Sequence, residues 1–148
     1  MRIKVVIIGI VLGLMSCSTE DDAQIRHADL IGEWNWVRTD GGIGFHIHET
    51  PETTGKRVQI TLNGDDTYSL FENEQEVSSG IWQLSMKESI YSGEEERYIE
   101  LSGDYQNQYL VLKGIIYGLE TDTLRLGDNY HDGVTSRYAR EGSDSIEL

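Results

Sequence analysis

From residue 30 onward the chain predicts an all-β domain, an eight-stranded antiparallel up-and-down barrel, with a short N-terminal helical turn before it. Three observations predict this. Beyond Gly32, apolar and polar residues alternate with a period of two. Aromatic and β-branched residues are frequent there, and turn residues recur about every ten positions. No long helical period appears, and the single proline, Pro51, falls in a loop between predicted strands. Closure suits short strands joined mostly by tight turns, because it removes exposed sheet edges. Eight strands enclose room for packed side chains or for one small ligand. A β-sandwich would use the same strand signals and is the structural alternative.

The N-terminus has a different character. Arg2 and Lys4 precede an apolar run from Val5 to Leu14, then Met15-Ser16-Cys17. Two cations, a short apolar core and a small residue before a cut form a secretory signal over 1–16. The run is too short for a spanning helix, which needs about 20 residues. Leu14-Met15-Ser16-Cys17 resembles a bacterial lipobox, and Cys17 is the only cysteine in the chain. The resemblance implies that the Cys17 thiol receives a diacylglycerol, that the signal is cut before it, and that the new amine is acylated. The chain then reads as an exported lipoprotein of the outer membrane, held by acyl chains that contribute roughly 0.8 kcal/mol per buried methylene. Residues 17–29 are the lipidated tether. Its Glu20-Asp21-Asp22 run is a solvated spacer or, as it also resembles, the surface-export signal of Bacteroidota lipoproteins. Gln24 to Leu30 places Ile25, Ala28 and Leu30 on one face of a helical turn.

Cleavage removes 16 of 148 residues, leaving 132, enough for one domain with a core. Losing Arg2 and Lys4 takes the formal charge from −14 to −16. Such a surface repels phosphate backbones and anionic lipid heads, which argues against nucleic-acid binding and leaves the anchor as the membrane contact.

Trp34 and Trp36 alternate with Glu33, Asn35 and Val37 in the first predicted strand. Thr39 to Lys56 is the longest predicted loop. Val58, Ile60 and Leu62 share a face of the next strand, and Asn63-Gly64-Asp65-Asp66 is a hairpin turn, since Asn and Gly tolerate positive φ. Thr67 to Glu72 follows, with Tyr68 and Leu70 on one face, then a turn at Asn73 to Glu76. Val77 to Met86 puts Trp82, Leu84 and Met86 together, with Gly80 as a bend or bulge. Lys87 to Glu94 reads as loop. Glu95 to Ser102, Gln108 to Lys113, Leu119 to Leu126 and Val134 to Arg140 read as the last four strands. The domain spans 30–141, and 142–148 is an acidic tail.

Leu30-Ile31-Gly32-Glu33-Trp34 resembles the Gly-x-Trp signature of lipocalins. Leu124-Arg125-Leu126, Asp128 to Gly133 and Tyr138-Ala139-Arg140 resemble the closing strands of bacterial lipocalin-like lipoproteins, and Leu62 to Tyr68 resembles their hairpin. The resemblance implies that Gly32 lets the chain turn into the barrel, that Trp34 plugs its closed end, and that Arg140 lies across Trp34, with Arg137 as the other candidate. It also makes the first loop a lid over the open end. The chain departs from ordinary lipocalins in its shortness and in lacking a clear Thr-Asp-Tyr motif or a long helix.

Trp36, Tyr68, Trp82 and Tyr138, with Phe45 in the flexible Gly41-Gly42-Ile43-Gly44-Phe45 segment, are the candidate contacts for a small hydrophobic or amphipathic ligand. The same rings fill the barrel if it has no cavity. In that case the acidic surface or first loop binds a protein partner, as an interaction or inhibitor module. His46 and His48 flank Ile47 and form a weak metal option lacking a third ligand of fixed spacing. Asp128 to Gly133 is read as a hairpin turn, because Tyr130 and Ala139 stand where a calcium loop needs oxygen ligands. No nucleophile elbow, phosphate loop or free thiol is present, so no catalytic residue and no cofactor is expected.

Overall fold

The computed structural model describes residues 28–108 and 110–142. The signal segment, Cys17, the tether to residue 27 and the tail from 143 lie outside the described residues, as does most of the predicted helical turn. Ala28 to Leu30 form a turn, and Leu30 is fully buried.

Nine antiparallel strands follow: β1 (Gly32–Gly41), β2 (Ile47–Glu49), β3 (Val58–Leu62), β4 (Thr67–Glu72), β5 (Gln75–Glu88), β6 (Glu95–Leu101), β7 (Gly114–Leu119), β8 (Thr123–Gly127) and β9 (Val134–Arg140). Eight of them, β1 and β3 to β9, close into a barrel, because β1 pairs with β3 on one side and with β9 on the other. The short β2 pairs only with Thr39–Gly41, beyond the point where β1 leaves β3. Between β1 and β2 lies a 3₁₀ turn (Ile43–Phe45), and between β2 and β3 a four-residue helix, α1 (Pro51–Thr54). The predicted loop Thr39 to Lys56 is thus largely regular structure.

Alternation decides which side chains enter the core. Trp34 and Trp36, Val58, Ile60 and Leu62, Tyr68 and Leu70, Trp82, Ile99 and Leu101, Leu124 and Leu126, and Tyr138 are all buried in one cluster. Each large side chain so buried contributes about 1.5–3 kcal/mol relative to exposure. Met86, predicted to share the face of Trp82, is exposed, because the end of β5 runs past the core.

Four expectations are corrected. Gln108 to Lys113 is not a strand, and β7 begins at Gly114. Glycine there reads as a strand break, yet it is required: a Cβ on Gly114 would overlap the Gly127 carbonyl. Leu119 ends β7 and does not begin the next strand. The chain turns at 120–122, where Glu120 N–H donates to Thr123 O at 2.8 Å. Gly80 is neither bend nor bulge. It sits opposite Tyr68 in register, and a Cβ there would overlap the Ser102 hydroxyl and press on the Tyr68 ring. The bulge of β5 lies at Val77, where Leu70 and Phe71 of β4 face Ser78 and Glu76. In the 63–66 turn the left-handed residue is Asp66 (φ 64), not Asn63 or Gly64.

Candidate functional site

The closed end is built around Trp34. Its indole N–H donates to Leu30 O at 2.8 Å, and the Arg140 guanidinium lies over the ring, 4.1 Å from the centroid. The same guanidinium donates to Thr121 O (2.7 Å), Ile31 O (2.7 Å) and Asp29 O (2.8 Å). Three carbonyls left without strand partners are satisfied by one fork of donors. Gly32 has φ 140, and a Cβ there would stand 2.5 Å from Arg140 Nη1. Arg97 adds a charged pair with the Asp29 carboxylate at 2.8 Å. Arg137 instead pairs in register with Arg38 and Arg125 on β9, away from Trp34.

The interior rings are committed to the protein itself. Tyr68 OH bonds Ser78 Oγ (2.9 Å) and accepts from Gly103 N–H (3.0 Å), and Trp82 Nε1–H donates to Asn63 O (3.1 Å). Tyr138 OH donates to Val111 O (2.7 Å), and burial pushes this phenol far above its ordinary pKa. Trp36 Nε1–H donates to Thr39 Oγ1 (3.0 Å), which bonds Ser136 Oγ (2.7 Å), which accepts from Val111 N–H (2.8 Å). The Ser136 hydroxyl, itself held by Thr39, and the Tyr138 phenol therefore hold the backbone of Val111, and Val111 and Leu112 join the core cluster. The segment predicted as a strand enters the barrel mouth instead. Its outer part is tied by Tyr105 OH, which donates to the Glu72 carboxylate that Lys56 also contacts at 3.1 Å. The Tyr105 bond, with Lys56, holds Glu72 below its ordinary pKa, while burial and Glu72 together raise that of Tyr105. No buried side-chain nitrogen or oxygen among the described residues lacks a partner.

The candidate ligand contacts are thus not brought together. Tyr68, Trp82 and Tyr138 fill the core. Trp36 also borders a cleft of about 560 Å³ where β1 and β3 part. The strands pair only over Gly32–Asn35, so Trp36, Val37 and Arg38 face no partner on that side until β2 begins. Val37 is the extra residue of a bulge against β9, which bends β1 at this point. Trp36 and Val58 reach the cleft from the core, Phe71 and Pro51 wall it, and Arg57, Gln59, Asn35, Glu52 and Glu74 make its polar side. Pro51 is positioned by α1, whose Thr50 and Thr53 cap each other reciprocally. Phe71 was readable from sequence as an outward aromatic opposite the Tyr68–Leu70 face; Arg57 carried no signal.

Phe45 lies elsewhere, on the outer wall beside Tyr91 and Tyr117, bordering a groove of about 350 Å³. His46 Nδ1 bonds Ile43 O and His48 Nδ1 bonds Asp40 Oδ1, both at 2.6 Å, so the two imidazoles have different partners. Among the described residues no three His, Cys, Asp or Glu side chains are grouped to hold a metal. The 128–133 connection is a hairpin loop in which the Asp128 carboxylate accepts from Tyr130 N–H (3.3 Å) and Val134 N–H (3.1 Å).

No family model, no curated protein and no solved structure matches the chain.

Proposed function

We propose that this is a lipid-anchored, lipocalin-like binding protein of the bacterial outer membrane that takes a small amphipathic molecule noncovalently. The anchor rests on the lipobox at Cys17 behind its signal segment, and the family reading on the Gly32–Trp34–Arg140 end joined to a closed eight-stranded barrel. The site is the seam cleft, not the barrel axis. One observation carries this: the wall opens beside Trp36, where an indole, Val58, Phe71 and Pro51 make an apolar floor with Arg57 and Gln59 at its edge. Its volume lies in the range of small-molecule sites. An apolar tail fits the floor, and a hydrogen-bonding head fits the rim, where Arg57 and Gln59 stand with the Glu52 and Glu74 carboxylates. The role is binding rather than catalysis.

The test is native mass spectrometry of the purified chain with organic extraction, followed by titration with fatty acids while tryptophan emission is read. A copurified amphiphile and an emission change that Trp36→Phe abolishes support the proposal, since Trp34 and Trp82 are sealed in the core. An empty protein with unchanged emission overturns it.

A further inference from the structure

A second surface stands apart from the seam cleft and does not depend on it. Eleven large apolar or aromatic side chains are exposed among the described residues, and six of them (Ile43, Phe45, Ile90, Tyr91, Tyr117 and Tyr130) lie on three loops and the adjoining β7. Hydrogen bonds join these loops. Gly42 N–H donates to Gly133 O at 2.9 Å, which seats the Phe45 turn against the 128–133 loop. Asn129 accepts from Ile90 N–H (2.9 Å) and donates to Glu88 O (3.1 Å), and Tyr91 OH donates to Tyr130 O. Tyr91 meets Tyr117 edge to face at 5.8 Å, and the Tyr117 ring rests on Gly127, where a Cβ would overlap it.

The aromatic display is held rather than loose. Phe45 is 88% exposed, yet its backbone sits at φ 54, a conformation that costs a bulky residue energy, and Phe45 N–H is fixed to Gly42 O at 2.9 Å. A ring that is both strained and in water gains nothing from the fold. Aromatic anchors of this kind dominate protein–protein interfaces.

Charge selects the partner. The whole chain carries −14. Asp40 lines the groove with the rings, and the joined loops and their strand ends carry Glu88, Glu94, Asp128 and Asp132. Burial raises the Tyr117 phenol against a hydrogen bond from Ser89 that lowers it, and the Glu96 and Asp128 carboxylates are close enough to add to the rise. Exposed ring faces in a negative field favour aliphatic stems that end in cations.

We propose that the Phe45–Tyr91–Tyr117 patch is a docking surface for a basic, lysine- or arginine-bearing segment of a partner protein. The experiment titrates the full chain with a labelled peptide of alternating leucine and lysine, read by fluorescence anisotropy at low and high salt. A leucine–glutamate peptide serves as control. Saturable binding that weakens with salt, and about tenfold on Phe45→Ala at unchanged net charge, is the expected result. Ile43→Ser gives a second exposed probe and weakens binding in the same direction. Circular dichroism checks that both variants fold. Binding equal in parent and both variants means diffuse charge attraction and overturns the proposal, as does no binding or equal binding of the acidic peptide. Sedimentation showing a dimer that Phe45→Ala dissolves makes a second copy the occupant and overturns it too.

Discussion

Arg140→Met removes the guanidinium while keeping most of the stem's packing, and its cost follows from the closed-end geometry. Three donors at 2.7–2.8 Å are lost, along with the contact over Trp34. Hydrogen bonds from charged groups contribute about 1.5–3 kcal/mol each when buried. Solvent reaches this side chain, so about 1 kcal/mol per bond is the appropriate figure. The ring contact adds about 1 kcal/mol. The sum is about 4 kcal/mol, a large share of the 5–15 kcal/mol typical of a domain. Urea unfolding followed by tryptophan emission measures it, and the melting temperature falls by roughly 10–20 °C. Arg140→Lys keeps a cation near Trp34 but cannot span three carbonyls, so it loses about 2 kcal/mol. Gly32→Ala sharpens the test. In the parent it introduces both a left-handed alanine and a Cβ 2.5 Å from Arg140 Nη1; beside Arg140→Met only the backbone strain remains. The double variant is therefore more stable than the two single costs predict. A loss below about 0.5 kcal/mol for Arg140→Met, or strict additivity with Gly32→Ala, refutes the clamp.

Two further outcomes concern the mouth of the barrel. Tyr138→Phe orphans the Val111 carbonyl and Ser136→Ala orphans its N–H, each costing about 1–3 kcal/mol in chemical denaturation, with hydrogen exchange across 105–113 rising first. Acid acts through Glu72. Its folded pKa lies below the ordinary 4.5, so its stabilisation is fully present above that value and is lost as pH falls through the lower one. The stability gap between the parent and Glu72→Gln, read from urea midpoints, is therefore constant near neutrality and shrinks only below about pH 4.5. A gap that does not change with pH refutes the coupling.

Where structure is local, the sequence carried it. β4 and β9 have their predicted bounds and β3 its predicted inward face, because each alternates cleanly and β3 and β4 share a tight turn closed by Asp65, whose carboxylate accepts from Thr67 N–H and Oγ1–H. The closed end was legible only through its resemblance to the Gly-x-Trp signature, since Arg140 reaches Ile31 O and Asp29 O from 109 and 111 residues along the chain. The mouth was not. Leu110-Val111-Leu112 has strand composition, and its misreading as a strand comes from partners 25 and 27 residues away, Ser136 and Tyr138, which take up the Val111 backbone groups a ladder would have used. The aromatic set failed differently. A period of two says which rings turn inward, and it cannot say whether they line a space or fill it. That is decided by which chain segment enters the barrel.

On the proposed binding role a filled barrel leaves the wall as the place for a site, and the irregularities in that wall lie beside the two surface depressions. Three register shifts interrupt the described ladders. The first, at Val37, bends β1 where it leaves β3. The second, at Val77, lies opposite Leu70 and Phe71, and Phe71 walls the same cleft. The third, at Tyr117, points a ring outward onto Gly127 and into the groove shared with Phe45. Bulges bend a strand, add twist and re-aim side chains, so they serve the curvature of a closed barrel as well as the direction of its outward residues. Here each one either opens the seam beside Trp36 or presents an aromatic ring to solvent. The Trp34–Arg140 clamp and the Val111 plug close the two ends, and a barrel rigid at both ends tolerates such local breaks in its side.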